Sequence, residues 1–407
     1  MRLLTEPQRI KAAKWLDEYA GRWLVTLIQW FRPSLKRDPA STIERILFIK
    51  FWGIGSIILA EPALRYLRKN YPQARIDFLT LKQNRELFAL VPHVDRAHVM
   101  DFDHAWRFFV SAIRLIIRLR RERYHLIFDA EFFANFSALV ARLASPRCLI
   151  GFSRIGAMRN QLLDMAVPFN QEQHAAENFL RLVVSATNNA TLHLSAPNSN
   201  VFHPRVFITS DRTKKIRFHH MPYVVINVNA SSLALERRWP RERFVNLARW
   251  LLKNYAIKII LIGSRAEREY TREVVRAIDA KNRVINLAGK LSVVELANLI
   301  AKAALFISND SGPLHLAAAL QKPVVGFYGP ETPQRFGPLC RDRLIFYLGL
   351  PCSPCMSVDN AKTVNCTNHL RCMMDLKTAM VIPKLRRFID EQELLPSRER
   401  SDAVMEY

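Results

Sequence analysis

Residues 46–80 read ILFIKFWGIGSIILAEPALRYLRKNYPQARIDFLT, a stretch in which an apolar run, two glycines, a helical pattern and a second apolar run follow one another. The first run, 46–51, predicts a buried β-strand, and a helix is expected from the glycine turn to about Asn70. A second strand is expected at 76–80. This order is typical of two parallel strands joined by a crossover helix.

The same alternation continues through most of the chain. In the first half, further strands are expected at 97–100, 124–129 and 148–152. In the second half, strands are expected at 223–228, 257–262, 284–287, 305–308 and 323–328, with helices at 241–254, 266–279, 293–302 and 314–320. The predicted fold class is α/β: two doubly wound, Rossmann-like domains facing a cleft, with the site at the strand carboxyl ends.

Four regions are expected along the chain. They are a basic amphipathic arm at 1–45, a first domain at 46–205, a second domain at 206–385 that includes a Cys-rich segment at 352–372, and a polar tail at 386–407. The polar stretch 188–221 is interpreted as the link between the domains, since it carries Pro, Ser and Asn and little periodicity.

Composition narrows the function. The chain has 407 residues, of which 50% are hydrophobic, so a mainly disordered protein is excluded and two buried cores are possible. Lys and Arg number 60 against 36 Asp and Glu, which gives a formal net charge of +24. Such a surplus indicates a polyanionic partner: nucleic acid, an anionic membrane surface or a phosphorylated substrate.

The N-terminal arm combines apolar and basic residues. Its apolar residues recur at helical spacing: Leu16, Ala20, Trp23, Leu24, Leu27, Ile28 and Phe31. One interpretation is a helix packed on its own domain, and the other is a helix docked at a membrane surface. A second stretch at 107–123, RFFVSAIRLIIRLRRER, mixes apolar residues and Arg in the same way and favours the interpretation that the protein docks at a membrane surface. Because no apolar run reaches 18 residues and no signal peptide is visible, a cytoplasmic location is expected.

The glycine turn at Gly53 and Gly55 occupies the place of a dinucleotide-binding fingerprint. The third glycine of that fingerprint would fall at position 58, which is Ile. No acidic residue ends the second strand where a ribose would be bound, so a nicotinamide or flavin enzyme is disfavoured. The turn still lets a ligand approach the start of a helix closely.

The segment SNDSGPLH at 308–315 is the strongest local signal. It follows an apolar strand and opens an Ala-rich helix, which predicts an anion site at the helix N-terminus. The alternative is an ordinary strand–turn–helix junction, where the same residue types are common. Neighbouring turns at 229–232, 237–240 and 329–330 add hydroxyl, amide and guanidinium groups, a set that suits a diphosphate held without a metal.

These stretches resemble bacterial lipopolysaccharide heptosyltransferases, the glycosyltransferase family 9. The resemblance rests on 46–80, WPRERF at 239–244, LIGSRAERE at 261–269, LAGKLSVVELANLIAKA at 287–303 and NDSGPLHLAAALQKPVVGFYGP at 309–330. It implies an inverting, metal-independent transferase of GT-B architecture, with an acceptor-side first domain and a second domain that binds a nucleotide-sugar.

The resemblance also implies the substrates and the location. The donor would be ADP-heptose, and no cofactor is expected. The acceptor would be the lipopolysaccharide core or a related glycolipid at the cytoplasmic side of the inner membrane, where the protein would be peripheral. Two rivals remain: another nucleotide-sugar chemistry on the same fold, and a basic nucleic-acid-binding protein. The second is disfavoured, because the basic residues alternate with apolar ones and no nucleic-acid motif is recognised.

By the same resemblance, several residues acquire expected roles at the donor. Those expected around the diphosphate are Ser231, Ser232, Ser311, Gly312, Leu314 and His315. Asp310 would lie near the donor sugar, and Arg237 would take the place of a phosphate-binding Lys. For His315 the alternative is a histidine of the core.

The chain departs from the family at Ser56, where the family has the Asp expected to be the general base. A neutral hydroxyl cannot accept a proton at neutral pH without a partner. Glu131, just past the strand at 124–129, is the preferred substitute. Glu61 is a poorer candidate, because it is expected about 140° around the first helix from Ser56 and would point away from the same site. Ser56 and Glu131 are therefore the expected catalytic residues, and Asp129 is expected to be structural. Two alternatives stay open: another acceptor chemistry, or a protein that binds the donor without efficient transfer.

Four cysteines near the end of the second domain have a spacing that zinc could use. They are Cys352, Cys355, Cys366 and Cys372, with His369 between the last two. The alternative is a set of reduced, partly buried thiols, and both interpretations stay open. No metal is expected at the site of transfer.

Overall fold

The computed structural model describes residues 17, 21, 23–28, 42–101, 105–187, 202–208, 221–230, 234–280, 282–360, 364 and 366–398. The chain divides into two compact units, Met1–Pro204 and Arg205–Tyr407. Each unit is built around one parallel sheet. Ser231, Ser232 and most of the stretch 188–221 lie outside the described residues, as does most of the N-terminal arm.

The first unit holds a six-stranded parallel sheet in the order β3-β2-β1-β4-β5-β6. Its strands are β1 (Arg45–Ile49), β2 (Arg75–Leu81), β3 (Arg96–Met100), β4 (Leu126–Asp129), β5 (Cys148–Ser153) and β6 (Met165–Pro168). Its helices are α1 (residues 23–28), α2 (Ile54–Leu59), α3 (Glu61–Asn70), α4 (Ala105–Glu122), α5 (Asn135–Leu143) and α6 (Ala175–Val184).

The second unit repeats this topology, with the strand order β12-β11-β10-β7-β8-β9. Its strands are β7 (Tyr223–Asn227), β8 (Lys258–Leu261), β9 (Val284–Asn286), β10 (Leu305–Asn309), β11 (Val324–Phe327) and β12 (Arg343–Phe346). Its helices are α7 (Arg241–Asn254), α8 (Arg268–Ile278), α9 (Val293–Ala301), α10 (Gly312–Ala319), α11 (Pro333–Phe336), α12 (Arg371–Met374) and α13 (Thr378–Glu391).

The central strands read as near-continuous apolar runs because helices cover both faces of each sheet. Ile46, Phe48, Ile226 and Ile307 are all at most 1% exposed. In both sheets the order of the strands reverses beside the first strand, between β1 and β4 and between β7 and β10. Ligands of doubly wound sheets bind at the carboxyl ends of the strands that flank this switch point. The predicted α/β class with two Rossmann-like units is confirmed.

Three local predictions are wrong. The helix expected from the glycine turn to Asn70 is two helices, because Glu61 and Pro62 begin α3 immediately after Ala60 ends α2. Ser56 and Glu61 therefore lie on different helices, and the angle of about 140° expected between them on one helix does not apply. The tail expected from residue 386 is helical to Glu391, where Phe388 and Ile389 are buried.

The arm makes specific contacts with the first unit where it is described. Val25 is fully buried against Ala138 and Leu139 of α5 and against Leu162. The opposite side of α1 stays exposed, at Trp23, Leu24 and Leu27. The helix therefore packs on its own domain and also retains an uncovered apolar face.

Candidate functional site

The switch point of the second sheet is filled by neutral polar side chains. Asn227, the last residue of β7, donates its amide to the hydroxyls of Ser308 and Ser311 at 3.2 and 3.1 Å. Those two hydroxyls lie 2.8 Å apart, and that of Ser308 also donates to the Asn309 carbonyl. The three side chains are buried. Amides and hydroxyls both donate and accept, so this network can rearrange around an added oxygen without burying a net charge.

Asn309 fixes the loops around this network. Its side-chain amide donates to the carbonyls of Val228 and Asn229 at 3.2 and 3.1 Å, and its oxygen accepts from the Trp239 amide at 2.9 Å. One side chain at the end of β10 thus connects the turn after β7 to the segment that leads into α7. Sequence reasoning missed Asn227 and Asn309, although each directly ends a buried apolar strand, which is a readable signal.

Arg237 and Asp310 form an ion pair beside the network. Arg237 lies in the 3₁₀ turn Leu235–Arg237, and its Nη1 is 3.1 Å from Asp310 Oδ2. The side chains are 14% and 7% exposed, so the pair is mostly buried yet reachable. The structure brings these two predicted residues together. A guanidinium group in this position can turn two N–H groups towards a phosphate.

The helix α10 begins at Gly312, directly after Ser311. Leu314 is fully buried and His315 is 5% exposed, so both side chains belong to the packed interior of the second unit. The first backbone amides of α10 carry the positive end of its dipole and lie next to the serine network. The segment therefore offers backbone donors at Gly312, and the expected contact of Leu314 and His315 with the diphosphate stays a prediction.

The turn Gly329–Pro330 is held by the Cys-rich segment. The carbonyl of Pro330 accepts from the amides of Cys355 and Met356 at 2.9 and 2.8 Å, and the Gly329 carbonyl accepts from the Ser353 hydroxyl. A Cβ at Gly329 would lie 3.0 Å from Cys372 Sγ and closer still to the Met373 side chain, so a larger residue would require the Met373 side chain to move. Below this turn Tyr328 is buried, and burial, together with the charges of Asp310 and Glu331, raises the pKa of its hydroxyl.

The four cysteines of that segment are free thiols. Burial raises the pKa of the Cys372 thiol to about 11, and the thiols of Cys355, Cys366 and Cys352 add to the rise. Among the residues that the structure describes, no three His, Cys, Asp or Glu side chains are grouped so that they could hold a metal ion. The spacing that suggested zinc does not assemble such a group there.

The switch point of the first sheet is filled by charge. Glu131, two residues beyond β4, accepts from Lys50 Nζ at 2.8 Å through Oε2. Its Oε1 accepts from the backbone amides of Phe51 and Trp52. Glu131 is 3% and Lys50 1% exposed. A carboxylate can accept about four hydrogen bonds, so three donors leave room for one more on Oε2.

Asp129 and Arg159 form a second buried pair behind Glu131. Arg159 Nη2 lies 2.5 Å from Asp129 Oδ2, and Arg159 Nη1 donates to the Glu131 carbonyl at 2.9 Å. The Ser137 hydroxyl also donates to Asp129. Burial raises the pKa of Asp129, while the charge of Arg159 and the Ser137 hydroxyl oppose the rise. Asp129 thus positions Arg159, and Arg159 positions the backbone of Glu131.

The glycine turn closes this edge of the first sheet. Gly53 has φ 84°, a left-handed conformation that favours glycine, and Ser56 lies in the first turn of α2. A Cβ on Gly53 would be 3.3 Å from Ser56 Oγ, so the hydroxyl lies close to the turn. Glu131 binds the two residues that precede Gly53, which brings the predicted carboxylate to the predicted turn. Glu61, the rejected alternative, is buried beside Arg65 and His93 instead.

Sequence reasoning missed two charged residues at this edge. Lys50 carries a readable signal, since a lysine directly after a buried strand requires a partner. Arg159 lies in an irregular segment, the 3₁₀ turn Met158–Leu162, and no pattern in the sequence indicates its role.

Comparison with known proteins agrees with this architecture. The family model "Glycosyltransferase family 9 (heptosyltransferase)" matches residues 112–364. Lipopolysaccharide heptosyltransferase 2 of Salmonella typhimurium is 25% identical over 355 residues, which covers 86% of this chain and 99% of that protein. Lipooligosaccharide heptosyltransferase 2 of Haemophilus ducreyi is 25% identical over 324 residues, 75% of this chain and 88% of that protein.

The solved structure of Escherichia coli ADP-heptose lipopolysaccharide heptosyltransferase II has the same fold. It superposes with a TM-score of 0.69 at 22% identity and covers 86% of this chain and 99% of its own. Since the family model spans more than half of the chain, and the strand order of both units follows that fold, this chain belongs to glycosyltransferase family 9, the heptosyltransferase family.

Proposed function

We propose that this protein transfers heptose from ADP-heptose to a lipopolysaccharide core or related glycolipid acceptor, with inversion at the anomeric carbon and without a metal. In a single displacement the acceptor hydroxyl attacks the anomeric carbon, the bond from that carbon to the diphosphate oxygen breaks, and ADP leaves. The observation that carries the proposal is the pair of unlike switch points. One holds a carboxylate beside a glycine turn, and the other holds amides, hydroxyls and Arg237.

The second unit is the proposed donor site. At the carboxyl ends of β7 and β10 the hydroxyls of Ser308 and Ser311 contact each other, Arg237 pairs with the adjacent Asp310, and α10 begins directly after Ser311. Fixed N–H and O–H donors and one guanidinium can stabilise the charge that develops on a departing diphosphate. Asp310 holds Arg237 before the donor arrives and is the proposed contact of the donor sugar. Ser231 and Ser232 remain proposed phosphate contacts from the resemblance alone.

The first unit is the proposed acceptor site, with Glu131 as the base. Lys50 and the amides of Phe51 and Trp52 fix its carboxylate, and the remaining acceptor position on Oε2 is the one proposed to take the proton. The Ser56 hydroxyl, beside Gly53, is proposed to orient the acceptor hydroxyl rather than to accept its proton. The alternative is a protein of this fold with another nucleotide-sugar chemistry.

The place of action is part of the same proposal. A glycolipid acceptor requires the protein to work at a membrane surface, and we place it on the cytoplasmic side of the inner membrane as a peripheral protein. The formal charge of +24 supports attraction to anionic lipid headgroups. The relatives named for lipopolysaccharide and lipooligosaccharide support the acceptor class.

Purified full-length protein incubated with ADP-heptose and deacylated lipopolysaccharide core tests the proposal. ADP release that requires both substrates, together with a mass gain of one heptose on the core, is expected. NMR of the product then reports the configuration at the new glycosidic bond, which should be inverted relative to the donor. A chelator-treated sample should retain full turnover.

The rival chemistries give different outcomes in the same experiment. UDP-, GDP- and CMP-sugars serve as matched donors, and a protein stabilised only by one of those would have another nucleotide-sugar chemistry. ADP-heptose consumption without the acceptor would indicate isomerisation or hydrolysis. Tight binding of DNA, with none of the nucleotide-sugars raising the melting temperature, would contradict the transferase proposal outright.

A further inference from the structure

The N-terminal arm is built into the first unit by a specific capping contact. The helix α5 begins after Ala134, whose side chain has no polar atom with which to cap it. Asp17 supplies the cap from the arm: Oδ2 accepts from the Asn135 amide at 2.9 Å, and Oδ1 accepts from the Phe136 amide at 2.7 Å. A carboxylate at this position also meets the positive end of the helix dipole.

Two further contacts fix the arm on α5. The Asn135 side chain donates to the Asp17 carbonyl at 2.9 Å, so α5 donates three hydrogen bonds to this one residue of the arm. Gly21 lies so close to α5 that a Cβ there would be 2.9 Å from Asn135 Cβ. Val25, one turn further along, fills an apolar pocket on the same helix. The arm therefore meets α5 over two turns, with a glycine where the backbones approach.

This docking leaves one apolar face of α1 uncovered. Helical geometry of about 100° per residue puts Gly21, Val25 and Ile28 on one side, which faces α5. Trp23, Leu24 and Leu27 lie together on the other side and are 76%, 49% and 59% exposed. Large apolar side chains grouped at this exposure mark an interaction surface, and Trp is enriched where membranes meet water.

The helix α4 presents a second uncovered face, which is basic as well as apolar. Leu115 and Leu119 bury its inner side in the core, whereas Ile113 and Ile117 are 59% and 46% exposed. Arg114, Arg118 and Arg121 lie beside these two residues, and all three are exposed. With Ile117 and Glu122, the arginines line a groove of about 470 Å³.

The two helices that carry these faces both pack on α5. Helix α5 packs against α4, and its residues Ala138 and Leu139 contact Val25 of α1. Asp17 is also near the candidate catalytic edge: burial raises the pKa of its carboxyl, the amides of Phe136 and Asn135 oppose the rise, and Arg159 and Glu131 are close enough to act on it. The same small helix thus connects the arm, the Arg-rich helix and the residues around Glu131.

We propose that the exposed faces of α1 and α4 together form a docking surface for an anionic lipid bilayer, with Trp23, Leu24, Leu27, Ile113 and Ile117 entering the interface and Arg114, Arg118 and Arg121 binding lipid phosphates. The occupant is inferred from charge, because a protein partner of the apolar residues would not need three arginines between them. No helix among the described residues is long and apolar enough to cross a membrane. This inference deepens the proposed function, on which it rests for the lipid-linked acceptor.

Vesicle binding by the full chain tests the docking surface. Sedimentation with vesicles of phosphatidylcholine alone and of phosphatidylcholine with phosphatidylglycerol is compared for the wild type and two multiple variants. The basic variant is Arg114→Gln, Arg118→Gln and Arg121→Gln, and the apolar variant is Trp23→Ser with Leu27→Ser. The basic variant is expected to bind the anionic vesicles about a hundredfold more weakly, since each arginine near an anionic surface contributes roughly fivefold. The apolar variant is expected to lose at least about tenfold, and its residual binding should be abolished by salt.

Matched changes in the second unit serve as controls. Lys253→Gln, Arg276→Gln and Lys384→Gln remove the same charge from exposed positions on α7, α8 and α13, and Met380→Ser removes an exposed apolar side chain. Both controls should bind vesicles like the wild type. Equal losses in the control and test triples would mean that net charge alone drives binding, and the proposal would be wrong. Wild-type binding by both test variants would also overturn it.

Turnover on a soluble acceptor separates this inference from the proposed function. The docking variants should transfer heptose to deacylated core at the wild-type rate while losing turnover on vesicle-embedded glycolipid. If the docking variants lose vesicle binding but neither the wild type nor any variant transfers heptose, the docking surface is supported and the proposed function is wrong. Analytical ultracentrifugation tests whether a second copy of the chain covers the exposed face of α1. If the wild type is a dimer that does not bind vesicles, and the apolar variant is a monomer, the face is a dimer interface and the proposal is wrong.

Discussion

At the switch point of the first sheet, Glu131 is held by Lys50 and two backbone amides, whereas at the same place in the second sheet Asn227 and two serine hydroxyls bind one another. The strand order is the same in both units, so the backbone supplies equivalent edges. What differs is the charge of the side chains that end β4 and β10. The first edge buries paired ions, and the second buries neutral groups with one ion pair at its border.

This difference separates two kinds of chemistry. A buried carboxylate with a fixed partner can take up a proton, but its desolvation cost makes it sensitive to the loss of that partner. Hydroxyls and amides can exchange their hydrogen-bond partners for phosphate oxygens. They therefore suit a diphosphate whose negative charge increases when it leaves the sugar. We therefore propose proton transfer for the first unit and diphosphate binding for the second. The predictions at Glu131, Arg237 and Ser311 each change one edge while leaving the other intact.

The largest effect is expected at Glu131. In Glu131→Gln the side-chain oxygen can still accept from the backbone amides of Phe51 and Trp52, while the proposed proton acceptor is lost. Turnover should fall about 10²- to 10⁴-fold, the usual contribution of a general base. ADP affinity, measured by calorimetry, should stay within about twofold of wild type, because the group lies in the first unit.

Ser56→Ala is the matched control at the same turn. The Ser56 hydroxyl is proposed to orient the acceptor rather than to accept its proton, so a loss of about tenfold or less is expected. If Glu131→Gln keeps wild-type turnover while Ser56→Ala abolishes it, the assignment of the base is wrong.

The next effect is expected at Arg237. Arg237→Ala removes the guanidinium beside the serine network and leaves Asp310 unpaired, so ADP should bind about 10- to 100-fold more weakly. Arg237→Lys should recover part of this affinity, since the charge remains but the two-pronged geometry does not. Arg272→Ala, on the surface of α8 beside Glu269, is the control and should bind ADP normally. Unchanged ADP affinity in Arg237→Ala would place the diphosphate elsewhere.

Acid stability should also distinguish the units, through Asp77 in the first sheet. Burial alone would raise the pKa of Asp77, but hydrogen bonds from His98 and Tyr124 and the charge of Arg75 bring it below its ordinary value. A lowered pKa stabilises the fold above the unfolded value of about 4, and this contribution is lost as pH falls through the folded pKa. Asp77→Asn should therefore be less stable at neutral pH by about 1.5–3 kcal/mol and should lose less on acidification.

Hydrogen exchange at a series of pH values measures this in each unit separately. Peptides of β2 and β3 should lose protection in acid in the wild type, with a smaller pH dependence in Asp77→Asn. Peptides of β7 and β10 should respond alike in both proteins. A change in the second unit alone would contradict the link to Asp77.

The smallest effect is expected at Ser311. Ser311→Ala removes one hydroxyl of a neutral network, and its partners Asn227 and Ser308 still bind each other. ADP affinity should fall about two- to tenfold. Ser292→Ala removes a hydroxyl that caps α9 through the Glu295 amide, so it should lower stability without changing ADP affinity. Equal ADP affinities in the two variants would exclude Ser311 from the site.

Much of this architecture follows from the sequence, and the exceptions have physical causes. Interior parallel strands such as β1, β7 and β10 are apolar on both faces, so their positions could be predicted. The edge strands β6 and β12 were missed because they are short and partly exposed, at Met165–Pro168 and Arg343–Phe346. The break between α2 and α3 was also missed, although a proline in a first helical turn marks a start.

The turns that hold the candidate site residues could be predicted from the sequence, but the partners of those residues could not. Glu131, Arg237 and Asp310 stand directly after strands or beside helix starts, where sequence patterns can locate them. Their partners cannot be located this way, because Lys50 is 81 residues from Glu131 and Arg159 is 30 residues from Asp129. Asp17, which caps α5 across 118 residues, carries no local signal at all.

Hydrogen exchange of the full chain with and without ADP tests the division between the two edges most directly. ADP should protect peptides that cover β7, β10 and the first turn of α10, and it should leave β1, α2 and the segment around Glu131 at their unbound rates. Protection confined to β1, α2 and the Glu131 segment, with β10 and α10 unchanged, would contradict the assignment of the donor to the second unit.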